Sequence, residues 1–140
     1  MEMEITQGLP QGAREIRQAV FVEEQGFTME FDDIDALAWH AVLSENGVPL
    51  ATGRTFPADE PGFYTIGRVA VRKERRRQGL GEKILLALEE KARSLGARGT
   101  CLCAQVRAQG FYEALGYQAY GEIVYDEEVP HVMMKKETQR

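Results

Sequence analysis

The sequence predicts a single domain of the α/β (α+β) class, in which antiparallel strands and helices share one chain. The first observation is a run of three strand signals, at 37–44, 48–56 and 63–71. Asn46 and Gly47 form a typical hairpin turn between the first two, and a break rich in Pro and Gly separates the second from the third. Turns this short join antiparallel neighbours, so the three strands should form a meander. The second observation is an amphipathic helix that follows this meander.

Helix and strand patterns account for the rest of the chain. Residues 80–95 place apolar side chains about every 3.6 residues, and Gly96 ends this helix. Pro10 fits the first turn of an earlier helix, where its missing N–H costs nothing. The other predicted elements are an edge strand over 2–6, a helix over 10–23, a loop over 26–35, a strand over 99–106, a short helix over 108–115, and strands over 117–125 and 131–136. The 140 residues, of which 44% are hydrophobic, fit one domain spanning residues 1–140.

Spacing within these elements predicts where particular residues face. In the last short helix, Phe111 and Leu115 are four positions apart and should face the core, as should Tyr117 in the next strand. Tyr112 is rotated by about 100° from Phe111, so it should lie on a different face of that helix. Gly67, inside the third strand of the meander, predicts a bulge or a close backbone approach.

The strand 63–71 runs into a strongly basic turn that opens the helix 80–95. The first turn of a helix offers N–H groups without intrahelical partners, together with the positive end of the helix dipole. Gly79 and Gly81 lack side chains, so an anion can approach the backbone closely. The turn therefore predicts a site for a phosphorylated ligand. Its donors would be the backbone N–H groups of Arg77, Gln78, Gly79, Leu80, Gly81 and Glu82, with Arg76 as counter-charge.

Charge and hydropathy argue against several classes of protein. The net charge is -5 and the pI about 5.1, whereas a nucleic-acid-binding domain is usually basic. Glu74 interrupts the basic run 72–77, so we expect no nucleic-acid partner. No apolar run approaches about 18 residues, so we expect no membrane span and no membrane partner. The acidic N-terminus lacks the features of a signal peptide, which makes the cytoplasm the expected location.

The two cysteines do not predict a disulfide or a metal site. Cys101 and Cys103 are two positions apart in a predicted strand, and such pairs rarely meet disulfide geometry. A metal would need further ligands, and the only histidines are His40 and His131. We therefore expect buried, reduced thiols and no metal.

Four stretches of the chain resemble a known family. They are 76–81 (RRQGLG), 111–117 (FYEALGY), 20–25 (VFVEEQ) and 129–133 (VPHVM). The first has the Q/R-x-x-G-x-G/A pattern and resembles the pyrophosphate loop of the GNAT superfamily of acyl-CoA N-acyltransferases, and the last two look like its ElaA-like subgroup. The resemblance implies the GNAT fold: a mixed, mostly antiparallel central sheet of about six to seven strands, flanked by about four helices, with a splay between the fourth and fifth strands.

The same resemblance implies acetyl-CoA as co-substrate and assigns residues to it. The pantetheine arm would pair with the backbone of Val69 and Val71 on the splayed strand, and an N–H of Val69, Ala70 or Val71 would hold the thioester oxygen. Tyr112 matches in position the tyrosine that many enzymes of this family use as general acid. A phenol suits that role, because its pKa near 10 means that it still holds its proton at neutral pH. Gln105, at the end of its strand beside the splay, would hydrogen-bond the cofactor or the acceptor.

The acceptor side is less well defined by the sequence. The acidic cluster in the loop 26–35 is either solvated or a pocket rim that attracts amines. The proton-accepting base stays open among Glu23, Glu24, Asp32, Asp35, Glu113, His40 and His131. The candidate substrate-binding residues are Glu24, Gln25, Asp35, His40 and His131.

The leading hypothesis is an N-acetyltransferase that transfers acetyl from acetyl-CoA to a primary amine of a small-molecule acceptor by direct attack. The alternative is a GNAT-fold module that binds acyl-CoA as a sensor without turnover. Tyr112 and the acidic acceptor side favour turnover. A small metabolite, a polyamine, an aminoglycoside, a peptide N-terminus and a protein lysine all stay open as acceptors. Dimers are common in the family that the chain resembles, but no residue decides for or against a homodimer.

Overall fold

One seven-stranded mixed sheet organises the computed structural model, which describes residues 1–28 and 30–137. The last three residues of the predicted domain thus lie outside the described part. The strand order is β1-β2-β3-β4-β5-β7-β6, and all neighbours are antiparallel except β4 and β5. The strands are β1 Glu2–Gln7, β2 Trp39–Glu45, β3 Val48–Pro57, β4 Phe63–Val71, β5 Gly99–Gln105, β6 Gln118–Asp126 and β7 Val129–Glu137.

Helices lie on both faces of the sheet. They are α1 Gln11–Arg17, which continues as the π-helix Gln18–Glu24, then α2 Leu80–Ser94 and α3 Gln109–Ala114, with short 3-10 turns at Asp33–Ala36, Lys73–Arg75 and Val106–Ala108. The helix predicted over 10–23 therefore has the right extent, but its second half is wound more widely. The N–H of Gln25 bonds to the carbonyl of Val20, five positions back, at 3.0 Å. Within the described residues, no helix is long and apolar enough to cross a membrane.

Two apolar clusters, one on each face of the sheet, form the core. The apolar stripe of α2, which includes Ile84, Leu85 and Leu88, packs on one face in what we call the α2-side cluster. The α1-side cluster, on the other face, consists of Ala13, Ile16, Val20, Phe21, Phe27, Val42 and Ala70. Alternation along the central strands divides their side chains between the two clusters, as expected for a sheet covered on both faces.

The fourth and fifth strands separate soon after they begin. β4 and β5 pair only at Phe63–Gly99, Tyr64–Thr100 and Thr65–Cys101, and beyond these pairs no register joins them. Three residues further along β4, on the side that pairs with β3, a bulge interrupts the register: Gly53 of β3 faces both Arg68 and Val69. Arg68 takes a left-handed φ of 53°, which is strained for a residue other than glycine. The predicted splay is confirmed, and the bulge lies next to Gly67.

Two predictions of side-chain burial were wrong, that Phe111 faces the core and that Cys103 is buried. Phe111 is 42% exposed rather than buried, whereas Tyr112 packs against the α2-side cluster with Leu115 and Tyr117. The short α3 begins only at Gln109 after a 3-10 turn, so the face that it presents to the core is set by this turn and not by spacing alone. Cys101 is buried and Cys103 exposed, and both thiols are free.

A buried network of charges fixes the loop 26–36 to the sheet. Its members come from α1, this loop, β3 and β4: Arg17, Glu30, Asp32, Asp35, Arg54 and Arg68. Arg17 donates to both oxygens of Asp35, at 2.7 and 3.1 Å, and Arg54 donates to Oδ1 at 2.8 Å. Burial opposes the charge of Asp35, but its bonds to Arg17 and the charge of Arg54 outweigh that cost and lower its pKa to about 2. Within the acidic cluster of this loop, Asp35 therefore has a structural role.

The substitution Asp35→Asn tests the weight of this network. Removing one partner leaves buried guanidinium charge uncompensated, so we expect the free energy of unfolding to fall by about 3 kcal/mol at neutral pH. The exposed neighbour offers a matched control, and Asp33→Asn should change it by less than about 0.5 kcal/mol. Urea unfolding followed by circular dichroism measures both.

The stability that Asp35 contributes should also depend on pH, and the shift in its pKa fixes the direction of that dependence. The folded-state pKa of Asp35, about 2, lies below its ordinary value of 3.8. Its stabilisation is therefore complete above the ordinary value and is lost as the pH falls through about 2. The difference in the free energy of unfolding between wild type and Asp35→Asn should therefore shrink over that pH range. If it does not shrink, or if Asp35→Asn destabilises no more than Asp33→Asn, Asp35 does not anchor the buried charge network.

Candidate active site

A cavity of about 620 Å³ lies where β4 and β5 diverge. Both arms of the divergence line it, β4 over residues 66–71 and β5 over residues 102–105. Phe21 and Phe27 of the α1-side cluster and Tyr112 and Leu80 of the α2-side cluster also line it. The cavity thus connects the two faces of the sheet through the gap between the strands. Its size is that of a small-molecule or cofactor site.

One end of the cavity is the basic turn before α2. Arg77 and Gly79 have left-handed φ values of 64° and 76°, and α2 begins at Leu80 with no side-chain cap on its first N–H groups. A Cβ built on Gly81 would lie 3.6 Å from Phe111 and 3.7 Å from Val71, so the backbone runs close to both walls. Uncapped donors beside several arginines are chemically suited to bind an anion at this end of the cavity.

Arg76 is tethered between two parts of this wall. Its Nη1 and Nη2 donate to the two oxygens of Glu24 at 2.7 Å each, and its Nε donates to the carbonyl of Val71 at 3.1 Å. The hydrogen bonds from Arg76 lower the pKa of Glu24, so this carboxylate stays ionised. The π-helix is thereby joined to the basic turn at the cavity.

Most of the predicted cofactor residues are brought together here. The residues that line the cavity are Val69, Ala70, Val71, Arg76, Arg77, Gly79, Leu80, Gly81, Glu82 and Gln105. Gln78 does not line it, and its side-chain oxygen accepts a hydrogen bond from Arg75 at 3.1 Å. Gln105 donates from Nε2 to Oε1 of Gln25 at 2.9 Å, which links β5 to the end of the π-helix.

Tyr112 forms part of the cavity wall on the α2 side. Its ring makes edge-to-face contacts with Phe111 and Tyr117, at centroid distances of 5.0 and 6.0 Å. Burial raises the pKa of Tyr112 to about 12, so the phenol keeps its proton throughout the neutral range.

The α1-side end of the cavity carries titratable groups and aromatic rings. Glu30, Arg68, Asp126 and His131 line it beside Phe21 and Phe27. Nδ1 of His131 lies 2.8 Å from the carbonyl oxygen of Val129, so in the neutral ring Nδ1 donates and Nε2 carries the free lone pair. Glu24 and Gln25, also predicted for this side, line the cavity as well.

Two predicted substrate-binding residues, Asp35 and His40, do not line the cavity. Asp35 is bound within the buried charge network described above. His40 is 1% exposed, and its Nε2 lies 2.9 Å from the carbonyl oxygen of Asp35. Burial lowers the pKa of His40, which favours the neutral ring. The structure therefore places both residues behind the site.

Sequence reasoning missed Glu30 and Arg68. Glu30 lies in an irregular loop, where no periodicity marks a buried position, and its burial depends on Arg17, 13 positions earlier in the chain. The Gly67 signal pointed to the bulge, but not to the arginine that occupies its left-handed position. The only sequence signal for Glu30 was that it begins the run of acidic residues in this loop.

Comparison with known proteins identifies the class to which this fold and site belong. The model of the acetyltransferase (GNAT) family matches residues 11–117. The chain belongs to the GNAT family and is therefore assigned to the acyltransferases.

Individual relatives cover nearly the whole chain. A Bacillus subtilis protein named as a candidate acetyltransferase is 38% identical over 130 residues, covering 89% of this chain and 87% of the relative. The crystal structure of a candidate N-acetyltransferase from Lactobacillus plantarum superposes with a TM-score of 0.87 and 33% identity, over 98% of this chain and 99% of that one. Escherichia coli ElaA shares the fold, with a TM-score of 0.85 and 24% identity over 97% of this chain and 99% of its own.

Proposed function

We propose that this protein is an N-acetyltransferase that transfers acetyl from acetyl-CoA to a primary amine by direct attack. The observation that carries the proposal is the cavity through the sheet. It has uncapped helix N–H groups and arginines at one end and titratable side chains at the other. Such a passage allows a cofactor and an acceptor to approach one reacting centre from opposite faces.

The residues of the cavity fit acetyl-CoA. The basic turn supplies N–H donors and positive charge for phosphates, and the unpaired edge of β4 over Val69–Val71 supplies backbone groups for an amide-containing arm. Acetyl-CoA supplies the acetyl group as an activated thioester. A backbone N–H on β4 would hold the thioester oxygen as negative charge develops on it.

Tyr112 would act on the departing sulfur. As the amine nitrogen bonds to the carbonyl carbon, the C–S bond breaks and its electron pair stays on sulfur. The phenol, protonated because burial raises its pKa to about 12, donates a hydrogen bond and then its proton to this thiolate. The proton lost by the amine needs a separate acceptor on the α1 side.

A sensor that binds acyl-CoA without turnover is the second candidate. The bidentate Glu24–Arg76 pair favours it, because this contact links the cofactor end of the cavity to the π-helix and could report on occupancy. A protein that binds acetyl-CoA tightly but acetylates no amine would be such a module.

The first experiment is thermal unfolding with and without saturating acetyl-CoA, followed by a screen of primary amines for release of free thiol. Ligand at about 100 times its Kd stabilises by about 2.7 kcal/mol, which should raise the Tm by several degrees. Thiol release with at least one amine is the expected second result. A shift without thiol release from any amine would favour the sensor, and no shift in folded protein would remove the cofactor assignment.

The substitution pair Gly79→Asp and Gly79→Asn tests the phosphate end. Both side chains tolerate the left-handed φ of 76° at this position, and a Cβ there meets nothing within 4 Å. They differ by one negative charge, so Asp should weaken acetyl-CoA binding at least about tenfold beyond Asn. Isothermal titration calorimetry measures both affinities. Equal affinities would show that the phosphates bind elsewhere.

The substitution Tyr112→Phe tests the acid. We expect kcat to fall roughly 100-fold at unchanged acetyl-CoA affinity. Because the pKa of this phenol is about 12, the loss should be uniform across the neutral range. Tyr117→Phe is the matched control: its hydroxyl bonds Thr100 and Glu89 at 2.7 Å each and does not line the cavity, so its loss should cost stability rather than turnover. Wild-type kcat in Tyr112→Phe would assign proton donation to water or another group.

A further inference from the structure

One buried carboxylate reaches the cavity beside the divergence of β4 and β5. Glu30 is 5% exposed and lines the cavity. It contacts Arg68, the left-handed residue of the bulge, which follows the last β4–β5 pair at Thr65 by three positions. Glu30 therefore lies next to the segment of β4 whose N–H groups would hold the thioester oxygen.

The contacts of Glu30 fix its position and leave one oxygen unused. Arg17 Nε donates to Oε2 at 2.8 Å, and Arg68 Nε lies 3.2 Å from the same oxygen. The backbone carbonyl of Glu30 accepts from Arg17 at 2.8 Å and from Arg68 at 3.1 Å. Within residues 1–28 and 30–137, Oε1 accepts no hydrogen bond, and it is not among the fully buried polar atoms that lack a partner. The carboxylate is therefore held through Oε2, and Oε1 is the oxygen left to accept a proton.

The other acids of the cavity are placed less well for proton transfer. Both oxygens of Glu24 are bound by Arg76, which lowers the pKa of Glu24 and makes it a weak base. Glu82 lies in the first turn of α2, at the phosphate end. Asp126 is at the turn end of the β6–β7 hairpin, on a strand that β7 separates from β5. His131, opposite Gln105, lies on β7, which pairs with the far side of β5 from β4.

Burial also prepares Glu30 to take up a proton. Burial raises the pKa of Glu30, while the positive charges of Arg68, Arg17 and Arg54 oppose that rise. The other charged groups of the network are Asp32 and Asp35, which these same arginines hold. A carboxylate whose pKa lies above its ordinary value is a stronger base than one in water.

We propose that Glu30, through Oε1, is the general base that accepts the proton from the attacking amine. This inference rests on the proposed N-acetyltransferase function. In the step, the N–H bond of the amine breaks and an O–H bond forms on Glu30, while the new C–N bond forms and the C–S pair leaves with sulfur. Glu30 acts from the α1 side of the sheet and Tyr112 from the α2 side, so the two proton transfers take place at separate groups.

The test is Glu30→Gln, which keeps the size of the side chain and removes its basicity. The substrates are acetyl-CoA and the primary amine that releases thiol fastest with wild type. We expect kcat/KM to fall roughly 100-fold near neutral pH. The deficit should narrow above about pH 10.4, where most of an alkyl primary amine is neutral and hydroxide can accept its proton in place of Glu30. Acetyl-CoA affinity should be unchanged.

Two further variants keep the result interpretable. Asp32→Asn removes a carboxylate from the same network, on Arg54 and Arg68, at a residue that does not line the cavity. It should lower stability without changing the shape of the pH profile. If Glu30→Gln does not fold, Glu30→Asp retains the charge for Arg17 but draws the carboxylate back, and should lower kcat about tenfold at unchanged acetyl-CoA affinity.

The outcomes separate the inference from the function on which it rests. Thiol release by wild type, with a Glu30→Gln profile that is parallel to wild type or equal to it, overturns Glu30 as the base and leaves the N-acetyltransferase standing. A pH-dependent loss in His131→Gln instead would assign the role to His131. No thiol release by wild type with any amine would overturn both.

Discussion

The rest of the site depends on the divergence of β4 and β5 after only three paired residues. Backbone N–H and C=O groups along the open edge of β4 have lost the partners that a continuous sheet would give them. The bulge at Arg68 and Val69 interrupts the pairing with β3 three residues after the last β4–β5 pair, and a bulge bends the strand that carries it. An extended ligand with amide groups can satisfy such an edge as an added strand would, so the structural cost of the gap is one that the proposed cofactor would offset.

The buried charges provide what the divergent strands cannot, a fixed wall on the α1 side. Buried ion pairs add little net stability, since the cost of desolvation nearly cancels their attraction. Their effect here is geometric: Arg17 holds Glu30 and Asp35 at once, and Arg68 ties the loop to the bulge. The loss expected for Asp35→Asn reflects a guanidinium left without its partner, and not a large gain from the pair.

Local patterns in the sequence were sufficient for the meander, for α2 and for the basic turn, because hairpin chemistry and helix periodicity act over a few residues. The residues facing the cofactor end follow from those elements. The acceptor end could not be predicted in the same way. Asp35 lies behind the cavity and Glu30 in it because Arg17, distant in sequence, binds both carboxylates, whereas Arg54 binds Asp35. Phe111, predicted to face the core, is exposed, because α3 is a short helix that begins after a 3-10 turn and spacing alone does not fix which of its faces packs.

The two groups proposed to move protons owe their suitability to one physical cause. Burial disfavours the charged form of any titratable group. For Tyr112 the charged form is the phenolate, so burial keeps the proton in place until a thiolate forms beside it. For Glu30 the charged form is the carboxylate, so burial makes it take up a proton more readily, while the charges of Arg68 and Arg17 oppose that rise in pKa. Burial of an acid and of a base on opposite faces of the sheet thus suits each to the opposite task.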